Sequence, residues 1–333
     1  MAEERPGYVA MKALTVLIAI AGVLLGAALI GHFGFVAVGR ALFAVGWVGF
    51  LAIVGYHLAV VVLLGLCWYV LVPRVAPAAS FIWGRLVRDS GADVLPLSAL
   101  GGFVMGARAA TLLGIPGNVA VASTIVDVTL EVLGQIGYIA VGLAILAGRW
   151  PDAAPIGWIF LILPLALIAV MGFIAIQKHH LFGAVEDATR RLAKRWIRDM
   201  AVPARPLHHE IHDIYARRRC VYVSTVLHFA AWIASSVEAW IALDLMGARL
   251  DIGSVIVIES LLYAIRSAAF AVPNAVGVQE GAYLMLGATL GLTPETALAL
   301  SLLKRGRDLV VGIPTLLVWQ FLEGRRLLVR RPE

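Results

Sequence analysis

Two acidic residues lie four positions apart inside a long apolar segment of this 333-residue chain. Asp127 and Glu131 belong to the run that begins after Pro116 and continues to about Leu146. Their i, i+4 spacing puts both carboxylates on one face of a helix. An ionised side chain at the centre of a bilayer costs roughly 2.5–3.5 kcal/mol on insertion scales. We therefore expect either a proton on one carboxylate or a cation beside the pair.

Basic residues occupy a comparable position near the end of the chain. Lys304, Arg305 and Arg307 stand next to Asp308 in the last apolar segment. An arginine guanidinium donates paired hydrogen bonds that fit a lipid phosphate, whereas the carboxylates could bind a cationic headgroup or carry a coupling proton. The alternative is structural: the acidic pair of the first segment binds Arg305 and Arg307 and holds the two halves together.

Further charged side chains complete a set of candidates for lipid binding or gating. The set consists of Asp127, Glu131, Arg108, Glu238, Glu259, Arg266, Glu280, Lys304, Arg305, Arg307 and Asp308. Together they predict a polar cavity inside the membrane. We assign no catalytic residue. His208 and His212 lie four positions apart, as in a helical zinc pair, but they do not form the His-Glu-x-x-His metalloprotease motif, because His209 and His212 are only three apart. No nucleotide-binding motif is found either, so we expect neither a metal nor a cofactor.

The composition places these residues in membrane helices. Hydrophobic residues make up 61% of the chain and charged residues 14%, whereas soluble domains carry about 25% charged residues. The expected fold is all-α: a polytopic integral membrane protein with about six full transmembrane helices and two broken, re-entrant helical hairpins. The expected spans are 13–31, 41–72, 117–146, 156–176, 219–246 and 296–321, and the expected hairpins are 78–113 and 252–292.

Residues 1–333 are expected to form a single membrane domain. The expected divisions are a first half (11–177), a basic cytoplasmic loop with an amphipathic helix (178–218), a second half (219–322) and a basic cytoplasmic tail (323–333). Ten Lys/Arg residues in 178–219 and four arginines in the tail put both segments on the cytoplasmic side by the positive-inside rule. We therefore expect a multi-pass protein of the bacterial inner membrane with both termini in the cytoplasm.

The two halves share a spacing of prolines and charges. The matching prolines are Pro96 and Pro116 in the first half and Pro273 and Pro294 in the second, 20 and 21 positions apart. Asp127 and Arg305 each follow the second proline of their half by 11 positions. The topology gives the halves opposite orientations, as in inverted-repeat transporters with a midplane site. Chance similarity of Gly- and Pro-bearing segments is the alternative, and each hairpin could instead be two complete spans.

The segment Arg266-Ser-Ala-Ala-Phe-Ala-Val-Pro273-Asn-Ala-Val-Gly277-Val-Gln-Glu280 resembles the signature of a known family. That signature is the Arg…Pro-x-x-x-Gly-x-x-Glu pattern of the lysylphosphatidylglycerol synthase transmembrane, or flippase-like, family. The resemblance covers about residues 10–322, and the chain is similar to the hopanoid-associated HpnL-type branch. It implies inverted membrane halves that move lipids between leaflets, with Arg266, Pro273, Gly277 and Glu280 as characteristic residues. The aminoacyl-transfer domain of the full synthase does not follow the last span, so we expect no synthase chemistry.

The expected function is therefore a lipid flippase or transporter that moves a phospholipid or hopanoid-type lipid through a charged midplane cavity. One alternative is a membrane-embedded, lipid-modifying transferase with Asp127, Glu131 or Glu280 as its base. Another is a non-catalytic partner of a lipid-biosynthesis complex that docks through the basic loop. The expected partners are anionic or hopanoid-type membrane lipids, with ion or proton coupling and no nucleic acid. An oligomer is compatible with the sequence.

Overall fold

The computed structural model describes residues 35–72, 74–95, 99–149, 168, 171, 204–269 and 272–329. This part of the chain forms ten α-helices and one 3₁₀ turn and contains no β-strand, which confirms the all-helical fold for the described residues. The helices are α1 (Phe35–Ala44), α2 (Gly46–Leu71), α3 (Ala78–Val94), α4 (Ala99–Leu112), α5 (Gly117–Arg149), α6 (Ala204–Ala216), α7 (Arg218–Leu245), α8 (Ile252–Ala268), α9 (Val278–Thr289) and α10 (Pro294–Val329). The 3₁₀ turn (Pro273–Ala275) lies between α8 and α9.

Three of the described helices are long and apolar enough to cross a membrane, namely α2, α5 and α7. They contain 26, 33 and 28 residues, and at about 1.5 Å per residue each exceeds a hydrocarbon core of roughly 30 Å. The chain is therefore a membrane-embedded, multi-pass protein. The longest described helix is α10, which has 36 residues and carries its charged residues from Lys304 to Asp308 in its first half.

The predicted spans 117–146, 219–246 and 296–321 coincide with α5, α7 and α10. The predicted span 41–72 is not one helix, because α1 ends at Ala44 and α2 begins at Gly46. Gly46 has a φ of +63°, a left-handed conformation that glycine adopts readily and that ends the first helix. The predicted spans 13–31 and 156–176 and the amphipathic helix of the basic loop lie outside the described residues, apart from 168 and 171. The number of spans stays a prediction.

Each predicted hairpin is a pair of short helices. α3 and α4 have 17 and 14 residues, and α8 and α9 have 17 and 12. At 1.5 Å per residue these helices are about 18–26 Å long, which is shorter than the hydrocarbon core of roughly 30 Å. The sequence predicts hairpins that are broken by glycine and proline, but the glycines at 101, 102 and 106 do not break the first hairpin. They lie inside α4, and Gly106 faces the backbone of Gly84 on α3, so they permit close helix packing.

Each half supplies a long helix that packs against the hairpin of the other half. α5 packs against α8, and α10 packs against α3. The backbones approach closely, since a Cβ on Gly142 of α5 would overlap Ser260 of α8, and a Cβ on Gly312 of α10 would overlap Val94 of α3. Small residues permit such close contacts between membrane helices, and here they join the two halves.

A buried tryptophan fixes the first hairpin against α2 and α5. Trp68 packs edge-on against Phe81 of α3 at a ring-centroid distance of 5.5 Å, and its Nε1 donates to Ser123 Oγ of α5 at 2.8 Å. The indole N–H is therefore satisfied in the core. Arg85 lies one helical turn after Phe81, and Asp127 lies one turn after Ser123. Because Trp68 contacts both Phe81 and Ser123, it places Arg85 and Asp127 at the same level of the two helices.

Candidate functional site

Two arginines of α3 face the two carboxylates of α5. Arg88 donates from Nη1 to Asp127 Oδ2 at 2.8 Å and also bonds Glu131. Arg85 donates to the two oxygens of Glu131 at 2.8 and 3.0 Å, and its Nε donates to Asp89 at 2.7 Å. Both arginines are only 4% exposed, and Asp127 is fully buried. The expectation of a cation beside the acidic pair is confirmed, and the cation is supplied by the first half itself.

His228 of α7 completes this cluster. Its Nε2 lies 3.0 Å from Asp127 Oδ1, and both side chains are fully buried. All four oxygens of Asp127 and Glu131 therefore have hydrogen-bonding partners. A buried ion cluster is stable only when its members are satisfied in this way. This cluster holds α3, α5 and α7 together.

The structural alternative, in which the acidic pair binds Arg305 and Arg307, is wrong. Those two arginines contact glutamates of the second half instead. The sequence carried a signal for the actual partners, because Arg85 and Arg88 lie three positions apart on the charged face of the segment 78–91. That segment was predicted only as part of the hairpin 78–113, and its arginines were not included among the site candidates. Only the packing of α3 against α2, α4 and α10 shows that its polar face is buried.

Lys304 and Arg305 of α10 contact glutamates of the second hairpin. Lys304 Nζ lies 2.5 Å from Glu259 Oε2, and Tyr283 donates to Glu259 Oε1 at 2.6 Å. Arg305 Nε donates to Glu280 Oε1 at 2.6 Å. Glu259 is fully buried, and Lys304 is 7% exposed. These pairs link both helices of the hairpin to α10.

Arg307 connects α10 to α7 and α2. It bonds Glu238 of α7, and its Nη2 donates to Asp308 at 2.6 Å. His57 Nδ1 of α2 lies 3.2 Å from Glu238 Oε2 on the other side. Glu238 is only 3% exposed, so its charge requires these partners. Asp308 also interacts with Asp93 and Arg266 at the hairpin tips through longer-range electrostatics.

Arg108 lies apart from the other predicted site residues. It pairs with Glu323 near the end of α10, with Nη2 donating at 2.6 Å. The predicted set is therefore divided among separate clusters, and most of its charged members have a partner of opposite charge. Arg266 is the exception.

The tips of the two hairpins meet at Asn274. Its Nδ2 donates to the carbonyl oxygen of Asp93 at the end of α3 at 2.6 Å, and its Oδ1 accepts from Arg266 Nη2 at 3.2 Å. Asn274 has a φ of +47°, a left-handed conformation that asparagine tolerates better than most residues with a side chain. One side chain thus connects Arg266 on α8 with the backbone of the other hairpin.

Arg266 has free hydrogen-bonding capacity at this junction. Within the described ranges, no carboxylate oxygen lies within 4.0 Å of its guanidinium. The side chain is partly exposed and lies over the Tyr263 ring at 5.7 Å. Asp93 and Asp308 act on it through longer-range attraction. The guanidinium is therefore positioned and charged, and it can donate to a further oxygen atom.

The residues of the signature segment build the broken tip. Pro273 is the first residue of the 3₁₀ turn, where its fixed φ is favourable. Gly277 precedes α9 with a φ of +82°, which favours glycine, and Glu280 accepts its N–H at 2.8 Å. Glu280 therefore caps α9 and binds Arg305 at the same time. Arg266 holds the turn through Asn274.

The model of the family described as "Lysylphosphatidylglycerol synthase TM region" matches residues 13–314. The chain belongs to this family. The matched range contains both hairpins and the clusters of α5 and α10, except for the Arg108 partner Glu323. Membership in the lysylphosphatidylglycerol synthase TM family indicates a function related to membrane lipids. A search of curated proteins and a search of solved structures found no match.

Proposed function

We propose that this protein is a transporter that moves a lipid between the membrane leaflets, with the lipid headgroup bound at Arg266 between the hairpin tips. The observation that carries the proposal is that Arg266 is held in position but has no carboxylate partner among the described residues. It is held by Asn274 and Tyr263, and no carboxylate of the described residues pairs with it. An arginine inside a membrane protein needs a counter-charge, and a phosphate supplies one that accepts two parallel hydrogen bonds.

The surroundings of Arg266 also favour a headgroup with hydrogen-bond donors. Asp93 makes no side-chain hydrogen bond to any described residue, and its charge interacts with Arg266, Arg307 and Asp308. An ionised carboxylate only accepts hydrogen bonds. A phosphate next to Arg266 and a hydroxyl or amino group next to Asp93 would satisfy both sides of the junction.

The arrangement of the helices supports an inverted-repeat transporter. Each hairpin ends at a glycine with left-handed φ, Gly114 at +94° and Gly291 at +88°, and a long helix follows within a few residues. Each of these long helices packs against the first helix of the opposite hairpin. Transporters of this architecture bind their substrate where the broken helices meet, which here is the junction at Asn274.

The proposal includes the location and cargo expected from the sequence. We propose that the protein lies in the inner membrane of a bacterium with both termini in the cytoplasm, and the basic loop and tail support this orientation by the positive-inside rule. The cargo is an anionic phospholipid or a hopanoid-type lipid. Coupling to an ion or a proton would use a carboxylate without an arginine contact, and Asp93 is such a group among the described residues.

The carboxylates that a transferase would use as a base are engaged in ion pairs. Asp127 and Glu131 bind Arg88, and Glu280 binds Arg305. A cation beside a carboxylate favours its ionised form and weakens it as a base. This supports transport over lipid modification.

The proposal can be tested with full-length protein reconstituted in vesicles that contain a trace of fluorescent phosphatidylglycerol. A membrane-impermeant quencher then reports leaflet exchange. Arg266→Gln should slow exchange about 10- to 100-fold, because hydrogen bonds to a charged group contribute roughly 1.5–3 kcal/mol. Arg266→Lys keeps the charge but loses the paired donors, so its rate should be intermediate. Arg149→Gln, at an exposed pair with Asp251, is the matched control.

The outcomes separate the candidate functions. If the wild type exchanges lipid no faster than protein-free vesicles under any ion gradient, the protein is not a transporter of this lipid class. Product formation from lipid donors would instead identify a transferase. If the wild type is active and Arg266→Gln matches it, the headgroup site is elsewhere. Thermal melting of each variant in detergent shows whether it remains folded.

A further inference from the structure

A cluster of exposed arginines lies at the end of the helix bundle where α7 begins. The cluster consists of Arg74, Arg217, Arg218 and Arg219. The last three join α6 to α7, and Arg74 follows the end of α2. α7 packs against α2, and Ser224 Oγ near the start of α7 donates to the carbonyl oxygen of Cys67 near the end of α2 at 3.0 Å. The start of α7 therefore lies beside the end of α2, and all four arginines belong to the same end of the bundle.

The charges of this arginine cluster are not neutralised within the part of the chain that the structure describes. No described carboxylate oxygen lies within 4.0 Å of the four guanidinium groups. Arg217 Nε donates to the backbone oxygen of Asp213 at 3.2 Å, a contact that leaves the charge in place. The acidic side chains of α6 have other partners, since Asp213 lies 3.4 Å from His209 and Glu210 accepts from Asn118 at 2.9 Å. The cluster is thus a positively charged surface that attracts anions.

One exposed face of α7 continues from the cluster into the membrane-spanning part of the helix. Arg218, Tyr222 and Val226 follow one another at intervals of four residues, so their side chains lie along one face. Tyr222 is 70% exposed and Val226 is 45% exposed, whereas Ser224 and His228 on the other side of the helix are buried. Tyrosine is enriched where membrane helices cross the interface between lipid and water. The order along this face is positive, aromatic and aliphatic, which matches the order of phosphate, glycerol and acyl chain in a phospholipid.

We propose that this end of α7 binds an anionic phospholipid, with its phosphate at the arginine cluster and an acyl chain along Tyr222 and Val226. The site differs from the junction at Asn274, which is formed by α3, α8 and the 3₁₀ turn. It does not depend on the proposed transport function. A soluble acidic protein or a free phosphate would use the charges but not the apolar face that continues into the span. Only a lipid uses both.

The test is native mass spectrometry of the full-length protein in detergent, titrated with phosphatidylglycerol or with phosphatidylcholine of the same acyl chains. We expect tighter binding of phosphatidylglycerol by the wild type. Arg218→Gln/Arg219→Gln should weaken that binding about 30-fold, because each arginine near an anionic headgroup contributes about fivefold. Arg218→Lys/Arg219→Lys keeps both charges and should retain most of the affinity. Each variant is also made with Arg266→Gln, so that lipid at the proposed headgroup site is counted separately.

A matched control removes the same charge from the opposite end of the bundle. Arg149→Gln/Arg249→Gln replaces two exposed arginines there, because Arg149 ends α5 and Arg249 follows the end of α7. This variant should bind phosphatidylglycerol like the wild type. Tyr222→Ser tests the acyl-chain contact and should weaken phosphatidylglycerol about 5- to 10-fold. Glycerol phosphate, which carries the anion without an acyl chain, should bind much more weakly than the lipid.

The outcomes decide the proposal without reference to lipid exchange. Loss of phosphatidylglycerol in the glutamine variant, with retention in the lysine variant and in the control, supports the site. Equal binding by the glutamine variant and the wild type overturns it, and so does an equal loss in the control, since only total charge would then matter. A wild type that binds both lipids equally also overturns it, as does glycerol phosphate that binds as tightly as the lipid. Equal melting temperatures of the variants exclude a folding defect.

Discussion

The ion cluster between α3 and α5 allows a quantitative test of the packing described above. Arg88→Met keeps the length of the side chain and removes the charge that binds Asp127 and Glu131. Glu131 retains two hydrogen bonds from Arg85, and Asp127 retains His228 at 3.0 Å and the Arg85 guanidinium at 3.8 Å. Asp127 is fully buried, and breaking a buried pair costs about 3–5 kcal/mol. Because His228 and Arg85 remain, we expect a loss at the lower end of this range, about 3 kcal/mol in the free energy of unfolding.

The measurement is reversible unfolding in mixed detergent micelles, followed by circular dichroism, for both single variants and the double variant. Asp127→Asn leaves Arg88 with Glu131 and should cost about 1–2 kcal/mol. The double variant should cost less than the sum, with a coupling energy of about 2 kcal/mol. The control is Arg149→Met, whose pair with Asp251 is half exposed, so we expect about 0–1 kcal/mol. A loss at Arg88 no larger than at Arg149, or a coupling energy near zero, would refute the reasoning.

Three further predictions follow from particular contacts. Asp127→Asn and Arg305→Ala belong to different clusters, so their effects on unfolding should add within about 0.5 kcal/mol, and reversing both charges should restore nothing. Gly142→Ala should destabilise the protein by about 1–3 kcal/mol, because its Cβ overlaps Ser260 at the α5–α8 contact. The Asp251 side chain accepts hydrogen bonds from the Ser254 hydroxyl and from Arg149, and these bonds lower its pKa from 3.8 to about 2. Its contribution to stability is therefore full above about pH 4 and is lost as the pH falls through about 2, so Asp251→Asn should reduce the stability difference between these pH values.

Each of these predictions has a control and a contradicting result. A coupling energy above 1 kcal/mol between positions 127 and 305 would show that the two halves share one ion network. Gly148→Ala tests the steric argument, because nothing lies within 4 Å of its Cβ position, and equal losses at 142 and 148 would contradict it. Asparagine also caps helices well, so Asp251→Asn isolates the charge. An unchanged pH profile would show that this carboxylate does not contribute through its ionisation.

Several features of the fold could be predicted because they depend on local pattern. Apolar runs of about 20 residues can cross a bilayer only as helices, so the positions of α5, α7 and α10 were readable from composition. Glycine and proline are frequent at the ends and breaks of helices, although Gly106 lies inside α4 and Pro314 lies inside α10. The breaks before α4 and at Pro273 were therefore expected, whereas the break at Gly46 was missed inside an otherwise uniform apolar run.

The partners of the charges could not be predicted in the same way. Spacing showed that Asp127 and Glu131 share a face and need a cation, but many arginines of the chain were compatible with that need. The choice of Arg85 and Arg88 depends on how closely α3 approaches α5, and the position of Trp68 between them fixes that approach. The equal spacing of Asp127 and Arg305 therefore did not indicate a contact between them.

The sequence by itself determined that this is a helical membrane protein with charged residues inside its apolar segments and with two segments interrupted by glycine and proline. These properties follow from the cost of placing charges and open backbone in lipid, which acts on each segment alone. Only the tertiary structure decided which charges neutralise one another, because that depends on distances between helices far apart in the chain. Within the predicted site set, it left Arg266, at the junction of the two hairpins, as the arginine without a carboxylate within 4.0 Å among the described residues.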